Sequence, residues 1–316
     1  MGVDRNYSID TLRTISTILV IIIHVCAPVV TNSDTNSNLF WISNLLDSFS
    51  RVSVPIFVLI SGYFLLNNKS FPIKRYLKIL WPLIFWTSFY LLYNHIPLYL
   101  KTQEIFISEI FHKLIYGVPY YHLWYVYMLL GLYGITPLLI KYFAPLSSTR
   151  KLTLISIFFL FGILLRYLCF IYSFELIFIF QFLEYVGYYA LGGWLKTANI
   201  RNFKKYLYFY ILFSLSTSIL VYQFNSFYFY EYLSLNVILA TISIFIFFSQ
   251  VKLKENFLSK ISPLTFGVYL VHPFILNRLQ KLNLNFSILE LIVMCSLLSV
   301  MIIYFFNKVP ILKKVI

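Results

Sequence analysis

Charged side chains are scarce in this sequence, and acidic ones are the scarcest. Asp, Glu, Lys and Arg make up 11% of the 316 residues, with 11 acidic residues against 25 basic ones. Hydrophobic residues make up 60%, and the mean hydropathy is +0.81. Such a chain cannot bury all its apolar groups in one water-soluble core, which excludes a soluble globular protein and a disordered one. The composition is typical of an integral membrane protein.

Cysteine is rare, and its positions form no pattern. Cys26, Cys169 and Cys295 lie in three different apolar segments, without the spacing of zinc ligands or of a disulfide framework. We interpret the three thiols as small core residues, and we expect no metal site. Long polar stretches are also missing, the longest loops being 31–48 and 94–121. We therefore expect a single membrane domain over residues 1–316 and no fused soluble domain.

Apolar segments close to the length of a membrane span recur along the chain. A helix needs about 20 apolar residues to cross a hydrocarbon layer of about 30 Å. Segments this long and apolar favour helices, because backbone groups in lipid must be satisfied internally. The sequence predicts an all-α, polytopic membrane protein with about ten transmembrane helices. The predicted spans are 9–30, 49–66, 77–93, 123–140, 152–171, 176–195, 206–222, 228–248, 264–279 and 286–306.

Basic residues are distributed unevenly between the two sets of loops. With the N-terminus in the cytoplasm, most of the 25 lysines and arginines fall on the cytoplasmic side. The outward loops contain only Lys101, Lys113, Arg278 and Lys281. This asymmetry follows the positive-inside rule and predicts that both termini are cytoplasmic. It also accounts for the net charge of +14 without nucleic acid as a partner.

The first predicted helix carries ionisable residues where lipid-facing side chains are expected. Arg13 and His24 are 11 residues apart, which places them about 16 Å apart and within about 20° of one helix face. Asp10 lies close to the same line. Such groups are costly at membrane depth unless they line a cavity or find partners, so a functional site is the first hypothesis. The alternatives are an interfacial ion pair between Asp10 and Arg13 and a hydrogen-bonded core role for His24.

The second predicted helix and the segment after it carry a further polar group. Arg51 lies at the outer end of this helix and Ser61 near its inner end. Lys74, Arg75 and Lys78 follow at the cytoplasmic side. Such a cluster is explained by positive-inside bias alone, or it binds the phosphates of an anionic substrate.

Two later segments contain histidines beside aromatic residues. His122 and Trp124 lie at the outward start of the fourth predicted helix, where Trp124 also suits an interfacial anchor. Tyr269 and His272 lie within the ninth. A buried neutral imidazole is suited to general-base catalysis, so both histidines are candidate site residues.

Glu184 is a carboxylate well inside the sixth predicted span. Its alternative interpretations are a functional group and an ion pair with Arg166 of the preceding helix. Gly192 and Gly193, which follow it, are expected to permit close approach of another helix.

Four stretches carry a resemblance to a known family. They are IDTLRTISTILVIIIH at 9–24, SRVSVPIFVLISGYFLL at 50–66, YHLWYVYMLLGLYGITPLL at 121–139 and SPLTFGVYLVHPFI at 262–275. With them the chain resembles the membrane-bound acyltransferase 3 family over nearly its whole length. The resemblance implies a ten-helix enzyme of the bacterial inner membrane. Such an enzyme moves an acyl group, usually acetyl, from cytoplasmic acyl-coenzyme A to a sugar hydroxyl of a surface glycan or its lipid-linked precursor, with no permanently bound cofactor.

The resemblance also implies roles for residues at matching positions. Arg13 and His24 correspond to the family's essential pair, and Asp10 accompanies them. The family often has two arginines three residues apart after the second helix; Arg75 and Lys78 stand there in this chain, and lysine cannot form arginine's bidentate contacts.

Residues and resemblance together give one mechanistic hypothesis. His24 takes the proton of the acceptor hydroxyl or carries the acyl group itself, while Arg13 holds a phosphate of coenzyme A or orients its pantetheine arm. The expected donor-binding residues are Arg75, Lys78, Lys74 and Ser61. The expected acceptor-binding or orienting residues are Arg51, His122, Trp124, Glu184, Tyr269 and His272.

A second hypothesis is a carrier or flippase for a lipid-linked sugar or an acyl group, because buried charges also occur in transporters. Transporters with inverted repeats have interrupted helices at matching positions in their two halves. The sequence contains no such pair, which favours the enzyme.

Overall fold

The computed structural model describes residues 5–104, 107–282 and 284–316, and the regular secondary structure in these ranges is entirely helical. The α-helices in the described ranges are α1 Tyr7–Asn32, α2 Asn38–Ser50, α3 Ser53–Leu65, α4 Lys74–Thr102, α5 Ile107–Ile115, α6 Trp124–Tyr142, α7 Ser148–Ile171, α8 Phe178–Gln181, α9 Val186–Leu195, α10 Lys205–Phe224, α11 Leu235–Gln250, α12 Phe257–Ile261, α13 Thr265–Lys281 and α14 Ile288–Lys308. Short 3₁₀ helices lie at Phe182–Tyr185, Phe227–Tyr230, Ser262–Leu264 and Leu312–Val315.

Seven helical segments of the described ranges are long and apolar enough to cross a membrane. They are Tyr7–Asn32, Asn38–Leu65, Trp124–Tyr142, Ser148–Ile171, Lys205–Phe224, Phe227–Gln250 and Ile288–Lys308. The all-helical, multi-pass architecture expected from the sequence is confirmed, while the number of ten spans stays a prediction. Of the other predicted spans, 77–93 lies within α4 and 264–279 lies on the 17-residue α13. The span 176–195 is divided among α8, a 3₁₀ helix and α9.

The structure differs from the sequence prediction at 31–48, where α2 replaces most of the expected loop. The side chain of Ser37 begins this helix by accepting a hydrogen bond from the amide of Phe40. The buried face of α2 is polar and its exposed face is apolar, the reverse of a helix in water. The buried polar residues are Ser43, Asn44, Asp47, Ser48 and Ser50, and the exposed apolar ones are Leu39, Trp41, Ile42 and Leu45. Such a surface is suited to lipid.

Helix α1 positions the site because it packs against α2, α3, α11, α12, α13 and α14. It begins at an Asn6 cap, whose side chain accepts from the amide of Ile9, and ends 26 residues later. We call the side of the bundle where α1 begins the near face, and the side where α1 ends the far face.

Helices α3 and α9 approach each other through two glycines. A Cβ on Gly62 would lie 1.8 Å from the carbonyl oxygen of Tyr189, and a Cβ on Gly192 would lie 2.1 Å from that of Leu59. Both distances are far inside van der Waals contact, so only glycine fits at either position. The close approach expected for the glycine pair of α9 is confirmed at Gly192, and it holds the two helices backbone to backbone.

Candidate active site

A large cavity opens at the near face, between the first turns of α1 and parts of α3, α4, α6 and α13. Its volume is about 1060 Å³, the upper end of the range for small-molecule sites. We call it the near cavity. The cationic side chains that line it, among the described residues, are Arg5, Arg13, Arg75, Lys78, Lys196, Lys313 and Lys314. Asp10 also lines it, but a lining this rich in cations favours an anionic ligand.

Arg13 is fixed on one side by Asp10. Its Nη1 lies 3.2 Å from Asp10 Oδ1, which also accepts a hydrogen bond of 2.9 Å from Ser262. The other carboxylate oxygen accepts a hydrogen bond of 2.7 Å from Arg5 Nε. The interfacial ion pair that the sequence offered as an alternative for Asp10 is therefore present. Within the described ranges it uses only Nη1 of Arg13, so most of the guanidinium's donors remain for a ligand in the cavity.

The expected donor-binding residues divide in two. Arg75, Lys78 and Ser61 line the near cavity, and Ser61 Oγ donates a hydrogen bond of 2.9 Å to the carbonyl of Phe57. Lys74 is not among the lining residues, because it is the exposed first residue of α4, one helical turn before Lys78. The structure thus places Arg75 and Lys78 together at the mouth with Arg13, and it leaves Lys74 outside.

Three histidines from distant parts of the chain meet within the helical bundle. The ring of His24 on α1 stacks on that of His272 on α13, with centroids 5.3 Å apart. The ring of His272 lies 5.6 Å from that of His122, which lies two residues before the start of α6. We call these three residues the histidine cluster. Tyr121, which is itself exposed, makes an edge contact to His24 at 4.8 Å. His24 is half-buried, and its ring packs on side chains of the protein.

The cluster contains imidazole nitrogens without hydrogen-bond partners in the described ranges. Both ring nitrogens of His122 and Nε2 of His272 are buried and accept or donate no hydrogen bond in these ranges. Nδ1 of His272 lies 3.3 Å from the carbonyl oxygen of Val268. Buried polar atoms without partners are costly, so their persistence points to a ligand or a reaction. The described residues contain no group of His, Cys, Asp or Glu side chains arranged to hold a metal ion.

One layer of tyrosine separates the near cavity from the histidine cluster. Tyr125 and Tyr269 line the deep end of the cavity. The Tyr269 ring lies 5.4 Å from His122 and 5.8 Å from His272, and its hydroxyl donates a hydrogen bond to the carbonyl of His122. His24 itself is not among the residues that line the near cavity. Tyr269 therefore lies between a molecule in this cavity and the cluster.

Pro28 modifies the backbone around His24. It lies inside α1, four residues after His24, and proline has no N–H group. The carbonyl of His24 consequently lacks its normal helical donor. This leaves a hydrogen-bond acceptor beside the histidine cluster, on the side toward the far face.

The remaining acceptor-side candidates lie apart from the near cavity. Arg51 follows α2 and lies in the middle of the candidate span Asn38–Leu65, not at the outer end of a helix as expected, because the helical span begins at Asn38. Its Nη2 lies 2.6 Å from Asp47 Oδ2, and its guanidinium covers the ring of Tyr230 at 4.2 Å. Trp124 is half-buried between Tyr185 and Tyr232, at centroid distances of 5.7 and 6.0 Å. The structure thus brings Arg51 and Trp124 to the far side of the cluster.

The ion pair offered for Glu184 and Arg166 does not form. Arg166 instead donates to both carboxylate oxygens of Glu231, at 3.0 and 3.1 Å. The physical reason is the break before α9, where Glu184 sits in a 3₁₀ helix whose backbone is packed on Gly162 of α7. Glu184 is buried, and it lines neither the near cavity nor the other cavities described below.

Several residues of the site were not predicted from the sequence. Lys196, Lys313 and Lys314 join the near cavity from the ends of distant elements, and no local pattern marks them. Tyr121 could have been predicted as a site residue, since it adjoins His122 in the sequence. Asp47 could also have been predicted, because it lies four residues before Arg51, the spacing of an ion pair on one helix face.

The fold and the site together define a multi-pass membrane protein with a cationic cavity that leads toward buried histidines. A family model described as an acyltransferase domain, the acyltransferase 3 family, matches residues 6–308. The chain belongs to this family, which supports membrane acyltransferase activity. Neither a comparison with curated proteins nor one with solved structures gives a match.

Proposed function

We propose that the protein is an O-acyltransferase of the bacterial inner membrane, with the near face in the cytoplasm and ten spans that include α4, α8 with α9, and α13. It takes acetyl or another short acyl group from acyl-coenzyme A. It transfers this group to a sugar hydroxyl of a surface glycan or its lipid-linked precursor. The sequence resemblance favours acetyl as the group and a glycan like enterobacterial common antigen as the acceptor.

The near cavity is suited to the coenzyme A part of the donor. The phosphates of coenzyme A carry several negative charges, and the cavity mouth combines Arg13, Arg75 and Lys78 with lysines from two other elements. Arginine and lysine are the side chains that bind phosphate best. The volume of about 1060 Å³ accommodates a ligand larger than a simple metabolite. The pantetheine arm would extend from this mouth toward Tyr125 and Tyr269.

One observation carries the catalytic assignment: the half-buried ring of His24 stacks on the buried His272, just beyond the deep end of a cationic cavity. Arg13 and His24 are about 16 Å apart along α1. Phosphates held at Arg13 and a thioester that has passed Tyr269 would therefore place the acyl carbon beside His24. The depth of the histidine allows a cytoplasmic donor to react with an acceptor that enters from the far face.

The reaction requires one proton acceptor. The oxygen of the sugar hydroxyl attacks the thioester carbonyl carbon while the neutral imidazole of His24 accepts the hydroxyl proton. The carbon–sulfur bond then breaks, and the thiolate leaves and receives that proton from the imidazolium. The products are the sugar ester and free coenzyme A. If His24 carries the acyl group, the same bonds change in two steps, with an acyl-imidazole between them.

Incubating membranes with acetyl-coenzyme A radiolabelled in the acetyl group tests this function. We expect label in the glycan fraction of membranes that contain the protein, and none in membranes that lack it. Mild alkali should release the label as acetate, because the new bond is an ester. Movement of a lipid-linked sugar without labelling would identify a carrier instead and would overturn the proposal.

A further inference from the structure

A second cavity lies toward the far face, beside the last turns of α1. Its volume is about 340 Å³, near the lower end of the range for small-molecule sites, which suits one sugar ring better than a chain. We call it the far cavity. It lies between α1, α2 and the segment before α11. Its lining includes Thr31, Asp47, Arg51, Phe227, Tyr230 and Tyr232.

The far cavity follows His24 along one face of α1. Ala27 and Thr31 line it, three and seven residues after His24. This spacing keeps all three on one side of the helix, with the cavity residues about 5 to 10 Å beyond His24 along the axis. A ligand in this cavity is therefore within reach of the histidine cluster from the side opposite the near cavity.

Asp47 and Arg51 retain unused hydrogen-bonding capacity there. They pair through Asp47 Oδ2 and Arg51 Nη2 at 2.6 Å, with side chains 0% and 15% exposed. Asp47 Oδ1 and Arg51 Nε are buried without partners in the described ranges. A carboxylate oxygen accepts and a guanidinium nitrogen donates, so the pair can bind a group that does both. A sugar hydroxyl is such a group.

The charges of the far cavity are balanced, in contrast to the near cavity. Asp47 is paired with Arg51, and Glu231, which also lines the cavity, is paired with Arg166. Phe227, Tyr230 and Tyr232 add aromatic surface. Polar groups without net charge beside aromatic rings favour a neutral polyhydroxyl ring over a phosphate.

We propose that the far cavity binds a neutral sugar ring of the acceptor glycan, with Asp47 and Arg51 recognising its hydroxyl groups and the aromatic side chains packing on its apolar face. The inference rests on the proposed function and extends it, because it assigns the acceptor to these residues. The proposal excludes a third cavity as the acceptor site. This cavity lies beside α13 and has a volume of about 280 Å³, and it is suited to an anion because Arg278 and Lys281 line it.

The test uses the full-length protein in lipid nanodiscs. The acceptor probe is surface polysaccharide of the host cells, freed of O-acetyl groups by mild alkali. Thr31→Trp fills the cavity from its exposed rim, and Asn32→Trp places the same bulk on a neighbouring exposed residue that does not line it. We expect Thr31→Trp to raise the KM for polysaccharide by about tenfold or more and Asn32→Trp to leave it within about twofold. The affinity for acetyl-coenzyme A should stay unchanged in both.

A second pair of variants removes bulk instead of adding it. Phe227→Ala deletes an exposed aromatic wall of the far cavity, and Tyr228→Ala deletes an adjacent exposed ring that does not line it. We expect a higher KM for polysaccharide only in Phe227→Ala. An unchanged KM in both Thr31→Trp and Phe227→Ala would overturn the inference. So would a higher KM in Arg278→Ala together with an unchanged one in Thr31→Trp, since the acceptor would then lie beside α13.

Binding of labelled fragments of the same polysaccharide, measured without acetyl-coenzyme A, separates the two proposals. Fragments that bind the wild type and not Thr31→Trp support the far cavity, even if no acetyl group is transferred, in which case the proposed reaction fails alone. Fragments that bind both proteins equally contradict the far cavity and leave the reaction to the labelling experiment. A wild type that neither binds nor acetylates the polysaccharide contradicts both proposals.

Discussion

Arg13 has two partners of different kinds, a carboxylate in the protein and the open volume of the near cavity. Asp10 holds one edge of the guanidinium at 3.2 Å, and a second arginine, Arg5, compensates the same carboxylate at 2.7 Å. Because Arg5 compensates part of the negative charge of Asp10, that carboxylate does not neutralise the whole positive charge of Arg13. This arrangement is that of a positioned cation, with the carboxylate as its positioning group.

Two substitutions distinguish a phosphate-binding arginine from a structural ion pair. Arg13→Ala removes a charged donor from the ligand, and such bonds contribute about 1.5–3 kcal/mol, so acetyl-coenzyme A should bind about 10- to 100-fold more weakly. Asp10→Asn removes a negative charge near the phosphates and should weaken binding far less. Isothermal titration of the purified variants measures both. Equal losses in the two variants would contradict donor binding by Arg13.

The histidine cluster could be predicted in part from the sequence. His24, His122 and His272 each stand out as ionisable residues in apolar segments, but their three sites lie up to 248 positions apart. Nothing in the local patterns indicates that their rings meet, because that contact depends on how α1, α6 and α13 pack. Lys196, Lys313 and Lys314 of the near cavity were missed for the same reason.

Among the helices, the crossing of α3 and α9 depends most strictly on residue size. Gly62 and Gly192 put backbone on backbone, and this contact fixes α3, which carries Ser61 of the near cavity. α3 also follows Arg51 directly, so the same crossing supports the far cavity. A change in the spacing of these two helices would therefore affect both cavities.

Gly62→Ala is expected to destabilise the protein. Its new Cβ would meet the carbonyl oxygen of Tyr189 at 1.8 Å, and neither backbone can move freely. Overpacking of this kind costs about 1–3 kcal/mol or more, which should lower the thermal unfolding temperature in detergent. Gly134→Ala is the matched control, because its Cβ would meet only the hydroxyl end of Tyr76. Equal unfolding temperatures for Gly62→Ala and wild type would contradict the crossing.

The apolar segments predicted the long helices well and the polar or broken ones poorly. The span 9–30 lies within α1, and 152–171 lies within α7. The helix α2 was missed because its buried polar face interrupts the apolar pattern that marks a span. The segment 176–195 is continuous in hydrophobicity, but its first part is short helix and 3₁₀ turn, a difference that hydropathy does not register.

At the scale of the whole molecule, two chemically different cavities flank one buried cluster. The near cavity is large and cationic, and the far cavity is small and balanced in charge. Their positions at opposite ends of α1 match a reaction whose two substrates arrive from opposite sides of a membrane. The proposed reaction therefore requires the near face to be cytoplasmic.

Cysteine labelling tests this orientation. Asp34 lies in an exposed turn at the far face, and Lys254 lies in an exposed segment that contacts Ser8 at the near face. The native cysteines Cys26, Cys169 and Cys295 are buried, so their background labelling should be low. In spheroplasts, an impermeant maleimide should label Asp34→Cys directly and Lys254→Cys only after lysis. The reverse order would place the near cavity on the side without acyl-coenzyme A.

The most direct test of the central claim is single-turnover transfer of radiolabelled acetyl groups by purified wild type and His24→Gln, with acetyl-coenzyme A affinity measured on the same samples. His112→Gln, on the exposed helix α5, is the control histidine. We predict that His24→Gln binds acetyl-coenzyme A like the wild type and transfers acetyl at least about 100-fold more slowly, the loss typical of a missing general base. Transfer by His24→Gln at the wild-type rate would contradict the account.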